Sequence, residues 1–176
     1  AGIKALRDLA TSSSNAFLVA DDNTISDMAG NVLTPITTAD ALPVSSYSAD
    51  IVNPVLVASS VNMNLGVITL SFSEPLDLGT VDVTQVGLQD ANNKLSPDFV
   101  LRGGVASTPG GVVLSAVVFI ALTQPDMNTI NSIGQLCFTA QKCYITLGTS
   151  FALDRSRNVV DPVSPQAAAA VSNYTP

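Results

Sequence analysis

The chain is organised by short runs in which apolar and polar positions alternate. Val67-Ile-Thr-Leu-Ser-Phe72 sets Ile68, Leu70 and Phe72 on one face and Val67, Thr69 and Ser71 on the other, the period of a half-buried strand. Further strand candidates span 55–61, 80–89, 98–102, 112–121, 143–148 and 167–174, separated by clusters of Gly, Pro, Asn and Asp that favour turns. The run at 112–121 is apolar on both sides: Val112, Leu114, Ala116, Val118 and Ile120 share one face, and Val113, Val117 and Phe119 the other. A sandwich strand with one solvated face is polar outside, so a cover is expected there, either the helix or another segment or chain. The helix is predicted from Pro125 to Leu136, where Met127, Ile130, Ile133 and Leu136 fall at helical spacing. Short strands at this spacing predict a mainly β fold, an antiparallel β-sandwich with one short helix.

The second pattern is a repeat. Residues 1–49 align with 128–176 at a constant offset of 127, without a gap. Ile3 falls on Ile130, Leu9 on Leu136, Asp27 on Asp154, Asn31 on Asn158, Val32 on Val159 and Pro35 on Pro162. Ala41 on Ala168, Val44 on Val171, Ser45 on Ser172 and Tyr47 on Tyr174 complete the identities. Gly2–Leu9 thereby becomes the expected copy of the helix. The organisation predicted is a partial unit over 1–49, the last third of a repeat, followed by a complete unit over 50–176. Pro54 stiffens the junction. A fragment of about 50 residues buries too little surface to stand alone, so 1–49 is expected to be completed by something else. Beginning at Ala1 with no signal-like stretch, the chain reads as a processed product or part of a longer one.

Composition narrows the function. The 176 residues are 47% hydrophobic with a net charge of −7, which argues for a folded chain. The seven Lys and Arg are scattered and form no stripe for phosphates, which excludes nucleic acid as the expected partner. Glu74 is the one glutamate among 14 acidic residues; aspartate suits turns and caps better than helices. No histidine is present, so Ser-His and Cys-His nucleophile pairs are excluded. A paired-carboxylate glycosidase would have only Asp77 near Glu74 in sequence. The expectation is therefore no enzyme and no cofactor. Val112–Leu122, the longest apolar run, is too short for a membrane span.

Leu70-Ser-Phe-Ser-Glu-Pro-Leu-Asp77, followed by Val81-Asp-Val83, and the loop Asp27-Met-Ala-Gly-Asn-Val-Leu33 resemble the bacterial-type Ig-like repeats of S-layer and giant surface proteins. In the complete unit the loop motif reads Asp154-Arg-Ser-Arg-Asn-Val-Val160 and has lost its glycine. The resemblance covers most of 50–176 and implies an extracellular tandem array without catalysis. Phe72 is expected to plug the core and Ser73-Glu-Pro75 to close the strand.

Cys137 and Cys143 map through the offset to Ala10 and Ala16, so both are present in one copy and both absent from the other. A disulfide is the natural reading, in an oxidising setting outside the cell; half a zinc site and two free thiols are the alternatives. Asn173-Tyr-Thr175 is an N-glycosylation sequon, and Thr11–Ser14 and Thr34–Thr38 are Ser/Thr-rich enough for O-glycans. Asp21, Asp22, Asp27 and Asn31 are calcium candidates, but the second copy keeps only Asp154 and Asn158, and calcium wants six to eight oxygens; a plain turn is the alternative. These features suggest an extracellular filament or stalk protein whose partners are copies of itself joined head-to-tail. An adhesin or carbohydrate-binding module is the second reading.

Overall fold

The alternating run beginning at Val67 becomes the longest strand of a computed structural model that describes residues 10–176. The helix expected over residues 2–9 lies outside the described residues. In chain order the strands are β1 (Phe17–Leu18), β2 (Leu42–Pro43), β3 (Leu56–Asn62), β4 (Val67–Asp77), β5 (Val86–Gln89) and β6 (Phe99–Val100). They continue with β7 (Val105–Ser107), β8 (Leu114–Ala121), β9 (Tyr144–Leu147), β10 (Ala169–Ala170) and β11 (Asn173–Thr175). A single α-helix, α1 (Gln124–Ser132), is found among the described residues. The chain divides into two compact units, Ala1–Asp50 and Ile51–Pro176.

In the larger unit one sheet has the order β11-β3-β4-β8-β7 and the other β10-β9-β5-β6. Side chains from both enter one apolar cluster: Ile68, Leu70, Val118 and Ile120 from the first, Leu88 and Ile145 from the second. This is consistent with a β-sandwich. Phe72 lies in that cluster with its ring stacked on Phe151, centroids 5.7 Å apart. β5 is buried along its whole length. Gly87 is required there, because a Cβ would fall 2.3 Å from Thr146 Oγ1 and 2.9 Å from Pro97 Cβ.

Several details differ from the sequence reading. Ser73-Glu-Pro75 does not end β4, which runs on to Asp77. Its pairing with β8 shifts register between Ser71 and Leu76, and Pro75, which has no N–H to donate, sits in that irregularity. The first half of 80–89 is not strand: Leu78–Thr80 and Val83–Gln85 are 3-10 turns. The Asp77 and Asp82 carboxylates accept from Gly79 N and Thr84 N and offer the backbone a turn in place of a ladder. The run at 167–174 is two strands in different sheets, β10 antiparallel to β9 and β11 parallel to β3. The sheets are therefore not wholly antiparallel.

The helix ends at Ser132, earlier than Leu136. Thr123 caps it by accepting from Asp126 N, and the Asp126 carboxylate accepts from Arg102 N at 3.1 Å. Ile130 is fully buried in the interior cluster, and Met127 and Ile133 pack against it. The helix thus turns its apolar side chains into the core, leaving Val117 and Phe119 half-buried on the outer face of β8.

In the smaller unit β1 pairs antiparallel with β2, and the bridges Ala20↔Ile36 and Ser26↔Val32 extend the arrangement. Each pairing recurs in the larger unit at the offset of 127: Phe17↔Pro43 as Tyr144↔Ala170, Ala20↔Ile36 as Leu147↔Val163, Ser26↔Val32 as Leu153↔Val159. The hydrogen bonds follow. Ile36 N donates to Ala20 O at 2.9 Å and Val163 N to Leu147 O at 3.0 Å. Val44 N donates to Ala16 O at 3.1 Å, and Val171 N to Cys143 O at 3.2 Å. Even the left-handed residues coincide: Ala10 at φ 53° with Cys137 at φ 46°, and Gly30 at φ 84° with Arg157 at φ 71°.

Candidate functional site

Cys137 and Cys143 are bonded, with Cα atoms 4.2 Å apart, and both are buried. Their sulfurs are thereby unavailable as zinc ligands or free thiols. Thr139 and the 3-10 turn Ala140–Lys142 fold the intervening loop back, so that Cys137 N donates to Lys142 O at 2.8 Å. The Tyr174 hydroxyl, whose pKa is raised by burial, donates to Cys137 O. The disulfide therefore braces the segment between α1 and β9, and Tyr174 ties it to β11. In the copy, the same turn at Ser13–Asn15 is held by polar side chains: Asn15 Oδ1 accepts from Ser12 N at 2.8 Å and from Thr11 N at 2.9 Å. Two different chemistries hold one backbone shape.

The Asp27 loop closes upon itself. Its Oδ1 accepts from Ala29 N at 2.9 Å and Asn31 N at 2.8 Å, and its Oδ2 accepts from Asn31 Nδ2 at 2.8 Å. The hydrogen bonds from the Asn31 side chain and backbone, the largest causes, hold its carboxyl below the usual range. Asp154 accepts from Asn158 N at 2.7 Å and Asn158 Nδ2 at 2.9 Å in the same manner. Asp21 precedes and Asp22 opens a separate 3-10 turn. Among the described residues, Asp21, Asp22 and Asp27 are not brought close enough together to share an ion. The arrangement accounts for Asp27 and Asn31 as a turn.

Asn173 is exposed on β11, beside a groove of about 470 Å³ on the outer face of the five-stranded sheet. Asn62, Leu65, Thr69, Phe119 and Thr175 line it. The sequence reading missed this groove, because its lining alternates polar with apolar side chains and resembles any solvated face.

The larger difference between the copies is burial. Ile145, Ala152 and Val171 are 0%, 2% and 8% exposed, whereas their counterparts Leu18, Ile25 and Val44 are 54%, 64% and 37% exposed. In the larger unit β9 lies between β10 and β5. In the smaller one, among the described residues, β1 pairs only with β2 in a two-stranded sheet, and no described strand takes the place of β5. That edge of β1 and the apolar side chains beside it are the prominent unsatisfied surface of residues 10–49. Compared with protein-family models, curated proteins and solved structures, the chain matches none.

Proposed function

We propose that this chain is an extracellular structural protein, a segment of a stalk or filament built from Ig-like units joined head-to-tail. The observation that carries the reading is the recurrence of one hydrogen-bonding pattern at an offset of 127 residues, sealed in one copy and open in the other. A unit that must be completed by a neighbour suits a one-dimensional array, in which each unit contacts only those before and after it. The buried disulfide fits an oxidising compartment, and the exposed Asn173 sequon fits glycosylation there. Electron microscopy of the chain extended at its N-terminus by further units of the same period tests the reading. Rods with a regular axial spacing support it; compact particles without such a spacing oppose it.

The second reading, an adhesin or carbohydrate-binding module, has one observation in its favour. Phe119 lies among Ser60, Asn62 and Thr69 in the outer groove, an apolar platform with hydrogen-bonding neighbours. A glycan array read with wild type and Phe119→Ala separates the two readings. Binding that the substitution removes favours the adhesin, and no binding leaves the structural role.

A further inference from the structure

We infer that the apolar face of residues 10–49 is the docking surface for a β-sheet body with the architecture of residues 51–127, supplied by a preceding segment of the same polypeptide. The inference rests on reading 1–49 as the last third of a unit, and it does not require filaments.

The larger unit displays the sealed form of this surface. There β5 pairs along β9, with Leu88 opposite Ile145 and Val86 opposite Leu147. β11 runs parallel to β3, with Tyr174 opposite Val61, and Leu76 bridges Asp154. Through the offset these partners belong beside Leu18, Ala20, Tyr47 and Asp27. An occupant must therefore bring one strand to the open edge of β1, another beside Tyr47, and a third beside Asp27. No single added peptide strand supplies all three.

A second copy of this chain is excluded as the occupant on two grounds. Its own residues 51–127 are already sealed by its residues 137–176, through the β5–β9 and β3–β11 pairings. Its shape is also wrong. Phe151 stacks on Phe72 in the sealed unit, but the counterpart of Phe151 is Thr24, and the counterpart of the small Ala152 is Ile25. The junction shows how the array is wired: the copy of β11 ends at Ser48, and β3 begins at Leu56 in the same chain. A tail is thus followed within a few residues by the next body. At the same period the body belonging to this tail would lie upstream of residue 1, joined to residues 10–49 through residues 1–9.

The test extends the full chain at its N-terminus with residues 51–127, an open body, and reads hydrogen exchange across residues 16–21. Thr24→Phe and Ile25→Ala are added, so that the tail presents to this body the ring that Phe72 stacks on and the small side chain of the sealed unit. Exchange there should slow on the order of 100-fold, and Leu18→Asp in the same extended chain should abolish the gain. No slowing, while β4 and β8 of the original unit stay protected, overturns the inference. Extension with the closed unit 51–176 should slow nothing. Equal slowing by the closed unit, or by raising the concentration of the unextended chain, overturns it in favour of a second copy. Should the open body misfold, Leu18→Asp in the unextended chain still decides. An unchanged urea midpoint and unchanged exchange support a vacant surface, and a lowered midpoint overturns it because the face is then already covered. Absence of rods by microscopy would leave every one of these outcomes untouched.

Discussion

Truncating the same register position in the two copies should have very different costs. Ile145 is fully buried, between Leu88 of β5 and Ala169 of β10. Ile145→Ala removes three carbons. At about 0.8 kcal/mol per buried methylene the transfer loss is about 2.4 kcal/mol, and the unfilled cavity raises it to about 3–4 kcal/mol. Leu18, its counterpart, is 54% exposed, and Leu18→Ala should change stability by no more than about 0.5 kcal/mol. The chain has no tryptophan, so urea unfolding is followed by far-UV circular dichroism together with tyrosine emission, with Tyr47→Phe as the background so that Tyr144 and Tyr174 of the larger unit supply the signal. With a slope of about 1.5 kcal/mol per M, Ile145→Ala should lower the midpoint of the larger unit by about 2 M and Leu18→Ala should leave it in place. A loss under about 1 kcal/mol for Ile145→Ala would refute the claim that the β5–β9 pairing seals this unit. A loss above about 1 kcal/mol for Leu18→Ala would show that the face of residues 10–49 is already covered.

The disulfide closes a short loop, with a sequence separation of 6, so Cys137→Ala/Cys143→Ala should cost only about 2 kcal/mol and leave the circular dichroism spectrum unchanged. Arg157 holds a left-handed φ of 71° where the other copy has Gly30; Arg157→Gly should stabilise the larger unit by about 0.5–1 kcal/mol, measured as a raised urea midpoint. The pKa values of Asp27, Asp82 and Asp90 are lowered by hydrogen bonds from Asn31, Thr84 and Lys94 respectively. A carboxyl depressed in the folded state binds fewer protons there than when unfolded, so its stabilisation is present above the unfolded pKa and lost as pH falls through the folded one. Lys94, raised by Asp90 and then Asp98, contributes below its unfolded pKa, and that contribution is lost as pH rises through the folded value. Urea midpoints should therefore fall below about pH 4 and again above about pH 10. Asp90→Asn should flatten part of both arms, and 1 M salt should shrink them.

What could be read from sequence was whatever depends on local spacing. Ile68, Leu70 and Phe72 are buried on the face their alternation assigns, and the paired presence of two cysteines against two alanines pointed to a bond. Pairing partners were less legible. Nothing in residues 167–174 announces that the chain leaves one sheet at Ala170 and joins another, in parallel, at Asn173; that switch is set by where β3 lies. Asp77 and Asp82 turned an apparent strand into 3-10 turns through side-chain hydrogen bonds, which hydrophobic periodicity does not register. The outer face of β8 looked as though it needed a cover because Val113, Val117 and Phe119 are apolar. The helix instead contributes Ile130 to the interior, since its single apolar stripe is better buried in the core than on a half-polar sheet face.

The two copies also separate what the backbone requires from what the packing requires. The hydrogen bonds that Asn31 makes to Asp27 have their equivalents between Asn158 and Asp154, although only the aspartate, asparagine and valine are shared across the five residues from 154 to 158 and the one that follows. The Ala10 and Cys137 turns coincide although one is held by Asn15 and the other by a disulfide. Backbone geometry in this tail is therefore set locally, by turn chemistry that tolerates several solutions. The inward side chains behave otherwise: Leu147, Phe151 and Ala152 become Ala20, Thr24 and Ile25, two losses of volume next to one gain. Close-packed interiors do not absorb such changes on one side alone. The body that receives Thr24 must fill the space that Phe151 occupies against Phe72, and it must yield space to Ile25. For the body inferred above this sets a constraint: with the strand order of residues 51–127, its core would have to be complementary to Ala20, Thr24 and Ile25, and units joined in that way would be matched in pairs rather than interchangeable.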